Sequence, residues 1–143
     1  MRYLLDTNLL SEPGKRLPDP GVLDWLRNHF HESGLAAISF AELRYGIERL
    51  PDSKRQRQLE RELKRLLEDV SRRVLAFGEE EASEWGRYAA ECEAEFGSGW
   101  TDHLDFRDSL IAATARAHGL PVVTRNVRHF PFVETHNPWT TDA

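Results

Sequence analysis

Cysteine is almost absent from this sequence, because Cys92 is the only one among 143 residues. A single cysteine cannot form an internal disulfide, and the six histidines lack zinc-ligand spacing, so a structural zinc site is not expected. Chains without disulfides are typical of a reducing compartment. We therefore expect the protein to be cytoplasmic.

Long apolar runs are also absent. No window of about 18 apolar residues occurs, so we expect no transmembrane helix. The first apolar run begins at Tyr3, so we expect no signal peptide. A chain of this length is predicted to form one domain, residues 1–143.

Basic side chains are outnumbered, since 19 Lys and Arg accompany 24 Asp and Glu and give a formal net charge of −5. This balance argues against a generic basic nucleic-acid binder. The charge is uneven: residues 53–73 carry eight basic and four acidic side chains, whereas residues 79–108 carry two basic and ten acidic ones. Two interpretations stay open, namely solvated helix faces, or a phosphate-binding basic element and an acidic rim beside a metal site.

Short apolar runs alternate with amphipathic helical patterns. Strands are predicted at 2–5, 35–38, 73–77 and 122–124, with a short fifth at 132–134. Helices are predicted at 21–31, 39–50, 54–70, 79–96 and 107–118. This alternation implies a parallel sheet covered on both faces. The sequence thus predicts an α/β fold, a three-layer α/β/α domain with four or five parallel strands.

Four polar residues follow a predicted strand or begin a predicted helix: Asp6, Glu42, Asp108 and Asn126. The carboxyl ends of parallel strands form one edge of the sheet, where ligands bind. Carboxylate and amide oxygens are the ligands that hard divalent cations take. A metal site of this composition activates water for the hydrolysis of phosphate esters.

Each acid also has a structural interpretation. Ser39 and Glu42 have the spacing of a capping box, in which Glu42 would only bind the Ser39 amide. Asp105 and Asp108 have the same spacing, and we expect Asp105 to cap the helix rather than to add charge to the site. Asp6 would be a cap only if a helix began directly after it, and its burial requires a partner.

Four segments of the chain together resemble the signature blocks of PIN-domain ribonucleases, most closely the VapC/FitB-like toxins of type II toxin–antitoxin pairs. They are residues 4–8 (LLDTN), 41–47 (AELRYGI), 108–115 (DSLIAATA) and 123–130 (VTRNVRHF). The blocks occur in family order over nearly the whole chain. Residues 137–139 also resemble the FitB-like branch. The resemblance implies a PIN-like fold.

The same resemblance assigns roles to individual residues. Asp6, Glu42 and Asp108 match the acidic ligands of Mg²⁺ or Mn²⁺. Asn126 matches a fourth catalytic position, where many family members have Asp. The secondary candidates are Thr7 and Thr124, which match hydroxyl positions beside the metal, and Asp105. The family usually has small residues just before the last acid, where this chain has Phe106 and Arg107.

The function implied by the resemblance is a Mg²⁺- or Mn²⁺-dependent endoribonuclease toxin that hydrolyses RNA phosphodiester bonds. The implied partners are a cognate VapB-like antitoxin and a second copy in a homodimer. The alternative is a non-catalytic PIN-like module that only binds RNA or its antitoxin, which Asn126 and the acidic net charge favour and the three acids oppose. A haloacid-dehalogenase-like phosphatase would need an Asp at position 8, where this chain has Asn8.

Overall fold

A five-stranded parallel sheet forms the centre of the structure, a computed structural model that describes residues 1–141. Residues 142–143 of the predicted domain lie outside the described residues. The strands are β1 (Tyr3–Leu5), β2 (Ser33–Ala36), β3 (Val74–Leu75), β4 (Val122–Val123) and β5 (Thr135–His136). Their order across the sheet is β3-β2-β1-β4-β5, so β1 is central.

Helices cover both faces of this sheet because successive strand residues point in opposite directions. The helices are α1 (Thr7–Ser11), α2 (Pro20–His29), α3 (Ala37–Glu48), α4 (Lys54–Asp69), α5 (Glu79–Phe96) and α6 (Phe106–His118). Leu4 packs in a buried cluster with side chains of α5 and α6, whereas Leu5 packs with side chains of α1, α2 and α4. The predicted three-layer α/β/α arrangement is confirmed. In residues 1–141, no helix combines the length and apolarity needed to cross a bilayer.

The second and fifth strands are shifted along the chain from their predicted ranges. The second strand ends at Ala36 and α3 begins at Ala37, earlier than predicted, because pairing with β1 already starts at Ser33. The fifth strand is Thr135–His136 instead of 132–134. Phe132 has a φ of 61°, a left-handed conformation that a strand cannot contain.

The last described residues are fastened to the start of α2. Asp19 caps this helix by accepting from the Gly21 and Val22 amides, and it also accepts from amides and hydroxyls of Thr140 and Thr141. Desolvation opposes ionisation of Asp19, but these donors outweigh it and lower its pKa to about 2. Asp19 therefore joins the C-terminal segment to the domain as an ionised carboxylate.

The C-terminal segment passes close to Gly21. A Cβ atom on Gly21 would lie 2.5 Å from the Pro138 carbonyl oxygen and 2.5 Å from the Thr140 methyl group. We expect Gly21→Ala to lower the free energy of unfolding in urea by about 1–3 kcal/mol, because the segment must shift.

The matched control is Gly86→Ala on the exposed side of α5, where nothing lies within 4 Å of the new methyl group. Alanine should stabilise this helix position by about 0.5–1 kcal/mol. A Gly21→Ala variant stabilised like the control would show that the segment is not packed against Gly21.

Candidate active site

Asp6 lies at the carboxyl edge of the central strand and is only 5% exposed. One carboxylate oxygen accepts from the Thr7 amide at 2.7 Å, and the other accepts from the Thr124 hydroxyl at 2.8 Å. A helix does begin at Thr7, so Asp6 is also its cap. Burial raises the pKa of Asp6, although both hydrogen bonds lower it. Asp6 is thus a buried carboxylate held in a fixed orientation.

Glu42 reaches the same edge from α3. Its carboxylate accepts from the Thr7 hydroxyl at 3.3 Å and lies 3.8 Å from the Arg107 guanidinium. The capping-box interpretation was wrong, because α3 begins before Ser39 and the Ser39 hydroxyl is buried without a partner. Burial raises the pKa of Glu42, and the charge of Asp6 raises it further, while Arg107 lowers it.

Asp108 lies in the first turn of α6, with one carboxylate oxygen 3.0 Å from Nδ1 of His129. Burial raises its pKa to about 7, with a further contribution from the charge of Asp6. Asp105 caps α6 by accepting from the Arg107 and Asp108 amides at 2.7 and 3.4 Å, as predicted. Desolvation raises the pKa of Asp105, but Arg107 lowers it more. Asp105 is therefore ionised beside the other acids.

Asn126 contacts the site residues through its backbone amide rather than through its side chain. Its amide donates to the Thr124 hydroxyl at 3.0 Å, so Thr124 links the loop after β4 to Asp6. The Asn126 side chain is exposed at the start of a 3-10 turn, Val127–His129. That turn carries His129 to Asp108. The sequence pattern does not mark His129 as a site residue, although His129 belongs to the block at 123–130, because its contact with Asp108 depends on the 3-10 turn.

The donor set fits a hydrated divalent cation. Burial raises the pKa of Glu42 and Asp108, and the charge of Asp6 raises both further, so these acids repel one another and a cation among them would relieve the repulsion. Within residues 1–141, no three acidic, His or Cys side chains converge into a ready-made ion cage. Mg²⁺ does not need one, because it keeps several waters and uses few protein carboxylates. The acids would hold Mg²⁺ or Mn²⁺ partly through water.

A groove of about 1080 Å³ leads away from Glu42 between α1, α3 and α4. Its apolar lining consists of Leu10, Leu43, Ile47, Leu59, Leu63 and Leu66. Its basic lining consists of Lys15, Arg16, Arg49, Arg55 and Arg107. Arg55 is the member of the basic run at 53–73 that lines it. Most of the basic charge of α4 therefore lies on another side of the helix.

The PIN domain family model matches residues 3–134. The chain therefore belongs to the PIN-domain family, in agreement with its fold and with the acids at the sheet edge.

Several relatives align over almost their whole length. The chain is 38% identical to plasmid stability protein StbB of Pseudomonas syringae pv. tomato, over 95% of this chain and 97% of the relative. It is 35% identical to VapC ribonuclease Y4jK of Sinorhizobium fredii, covering 95% and 96%, and 35% identical to Toxin FitB of Neisseria gonorrhoeae, covering 95% and 97%. The solved structure of FitAB bound to an IR36 DNA fragment superimposes with a TM-score of 0.87 at 30% identity, covering 99% and 98%.

Proposed function

We propose that this chain is the toxin of a toxin–antitoxin pair and hydrolyses RNA phosphodiester bonds with Mg²⁺ or Mn²⁺. The observation that carries the proposal is the collection of Asp6, Glu42 and Asp108 at one sheet edge, each with a raised pKa. Its relatives include a VapC ribonuclease and a protein named Toxin FitB. Carboxylates that hold a divalent ion support direct attack by water, and this reaction needs no covalent nucleophile.

The protein's own contribution is to hold and orient these donors. Thr124 and the Thr7 amide orient the two oxygens of Asp6, and the Thr7 hydroxyl orients Glu42. His129 occupies one oxygen of Asp108, which leaves the other available. A bound divalent ion would supply water activation and stabilise charge on the leaving oxygen. Hydrogen bonds of this kind keep donors oriented and typically affect activity about 10- to 100-fold.

The test is cleavage of single-stranded RNA by the purified chain with Mg²⁺, with Mn²⁺ and with a chelator. We expect cleavage with either metal and none with the chelator. RNA that is bound but not cut under all three conditions would support the non-catalytic module, which the amide of Asn126 in place of a carboxylate favours. RNA that is neither bound nor cut would contradict both functions.

The groove beside Glu42 is a suitable surface for a VapB-like antitoxin. Its apolar lining between α3 and α4 fits the apolar face of an amphipathic helix, and such a helix would end at the acids and cover them. The similar structure contains FitAB on DNA. A homodimer and action in the cytoplasm complete the proposal.

A further inference from the structure

Arg107 lies where the groove meets the acids, and the proposed reaction assigns it no task. Its side chain is 54% exposed on the first turn of α6 and lines the groove. One guanidinium nitrogen lies 3.8 Å from a Glu42 oxygen, and two others donate to the two oxygens of Asp105 at 3.5 and 3.4 Å. It is thus a cation placed between two acids at the entrance to the site.

The contacts of Arg107 are long for an arginine–carboxylate pair. Ionic hydrogen bonds of this type are typically about 2.7–2.9 Å long. Arg44 and Arg116 reach such distances, at 2.7 Å to Glu60 and 2.9 Å to Glu84. The ion pairs of Arg107 are weaker by comparison. A stronger ligand can therefore displace Arg107 from Glu42 with a small loss of free energy.

An RNA phosphate is such a ligand. The planar fork of a guanidinium matches two phosphate oxygens and is preferred for planar, two-point recognition of phosphate. A phosphate that approaches Asp6, Glu42 and Asp108 also needs a positive charge nearby, because the acids repel it. Arg107 is the basic residue of the groove with ion pairs to acids of this site.

We propose that Arg107 binds a backbone phosphate of RNA entering the site, and that this contact withdraws the guanidinium from Glu42. The inference rests on the proposed function because it takes RNA as the substrate. Withdrawal of Arg107 leaves Glu42 with more uncompensated charge, so RNA and a divalent cation favour each other's binding. Such coupling is reciprocal. Arg107 thus strengthens the binding of RNA and weakens the binding of a divalent cation in the absence of RNA.

The experiment measures both ligands separately on Arg107→Gln. In chelator, affinity for a short fluorescein-labelled single-stranded RNA of mixed sequence should fall about tenfold, as expected for loss of one ionic hydrogen bond. The slope of log affinity against log salt should decrease in magnitude by about 1. Without RNA, calorimetric titration should show tighter Mn²⁺ binding than in wild type, because a competing cation is gone.

Arg57→Gln is the matched control. Arg57 is 60% exposed and also pairs with an acid, Asp52 at 3.0 Å, but it does not line the groove. The control should bind RNA and Mn²⁺ like wild type. Arg107→Lys should retain the salt slope but recover only part of the RNA affinity, because lysine keeps the charge without the fork.

Three outcomes separate the hypotheses. Wild-type RNA affinity and salt slope in Arg107→Gln would overturn the inference, whether or not the wild-type chain cuts RNA. Equal losses in Arg107→Gln and Arg57→Gln would also overturn it, because they would reflect net charge alone. Weakened RNA binding in Arg107→Gln together with a wild-type chain that never cuts RNA would support the Arg107 contact and contradict the proposed nuclease function.

Discussion

Replacing Asp6 by asparagine should reduce metal-dependent RNA cleavage by more than about 100-fold in kcat/KM, because loss of an outer partner alone typically costs about 10- to 100-fold. Asp6 is the most buried of the three acids, and its two oxygens are oriented by Thr7 and Thr124. Asparagine keeps the shape and one acceptor oxygen but removes the charge. Initial rates with Mg²⁺ at matched protein concentration measure the effect.

The same loss should follow from Glu42→Gln and from Asp108→Asn. Combining the replacements should add little, since residues that serve one ion act as a unit. Asp24→Asn is the control, because Asp24 is an exposed acid on α2 whose ion-pair partner is Arg27. A Glu42→Gln variant that cut RNA at the wild-type rate would remove Glu42 from the metal site and leave it as a partner of Thr7 and Arg107.

The sequence predicts the acids better than it predicts what orients them. Asp6 and Asp108 are marked by an apolar run that ends at a carboxylate and by a helix start, which are local signals. The local capping-box pattern of Ser39 and Glu42 is misleading, because α3 begins at Ala37. Pairing of β2 with β1 sets this helix start. The small residues Ala36 and Ala37 carry no capping side chain that would reveal it.

Contacts that form only through tertiary packing could not be predicted from the sequence. His129 meets Asp108 because a 3-10 turn after β4 folds back over α6, and nothing in the local pattern specifies that turn. The bonds from Thr140 and Thr141 to Asp19 likewise join the two ends of the chain. Trp139, in the same segment, is partly buried against side chains of α2. Partners far apart in sequence require the fold before they can be predicted.

Replacing Asp108 by asparagine should stabilise the metal-free protein at about pH 8. Burial and the charge of Asp6 raise the pKa of Asp108 from 3.8 to about 7 in the folded chain. At pH values above both pKa values the carboxylate is ionised in both states, and the folded state carries the full penalty for holding the charge. Between the two pKa values the folded state keeps its proton, so the penalty shrinks as pH falls and vanishes below 3.8.

This penalty is up to about 4 kcal/mol, and its removal should raise the melting temperature in chelator by about 5–10 °C. Asparagine keeps an oxygen that can accept from His129, so the contact with α6 is retained. The advantage of Asp108→Asn should decline as pH falls from about 7 to about 4. Asp24→Asn is the control, because the Asp24 carboxylate is exposed.

Added Mg²⁺ should reduce the stability advantage of Asp108→Asn over wild type. An ion that binds only the folded state raises its stability by mass action, and the variant has lost one of the charges that bind it. Wild-type melting temperature should therefore rise with Mg²⁺ concentration more steeply than that of Asp108→Asn. If Asp108→Asn melts below wild type in chelator at about pH 8, the hydrogen bond between Asp108 and His129 stabilises the fold by more than burial of the charge costs. Asp108 would then be required for folding as well as for the proposed metal site.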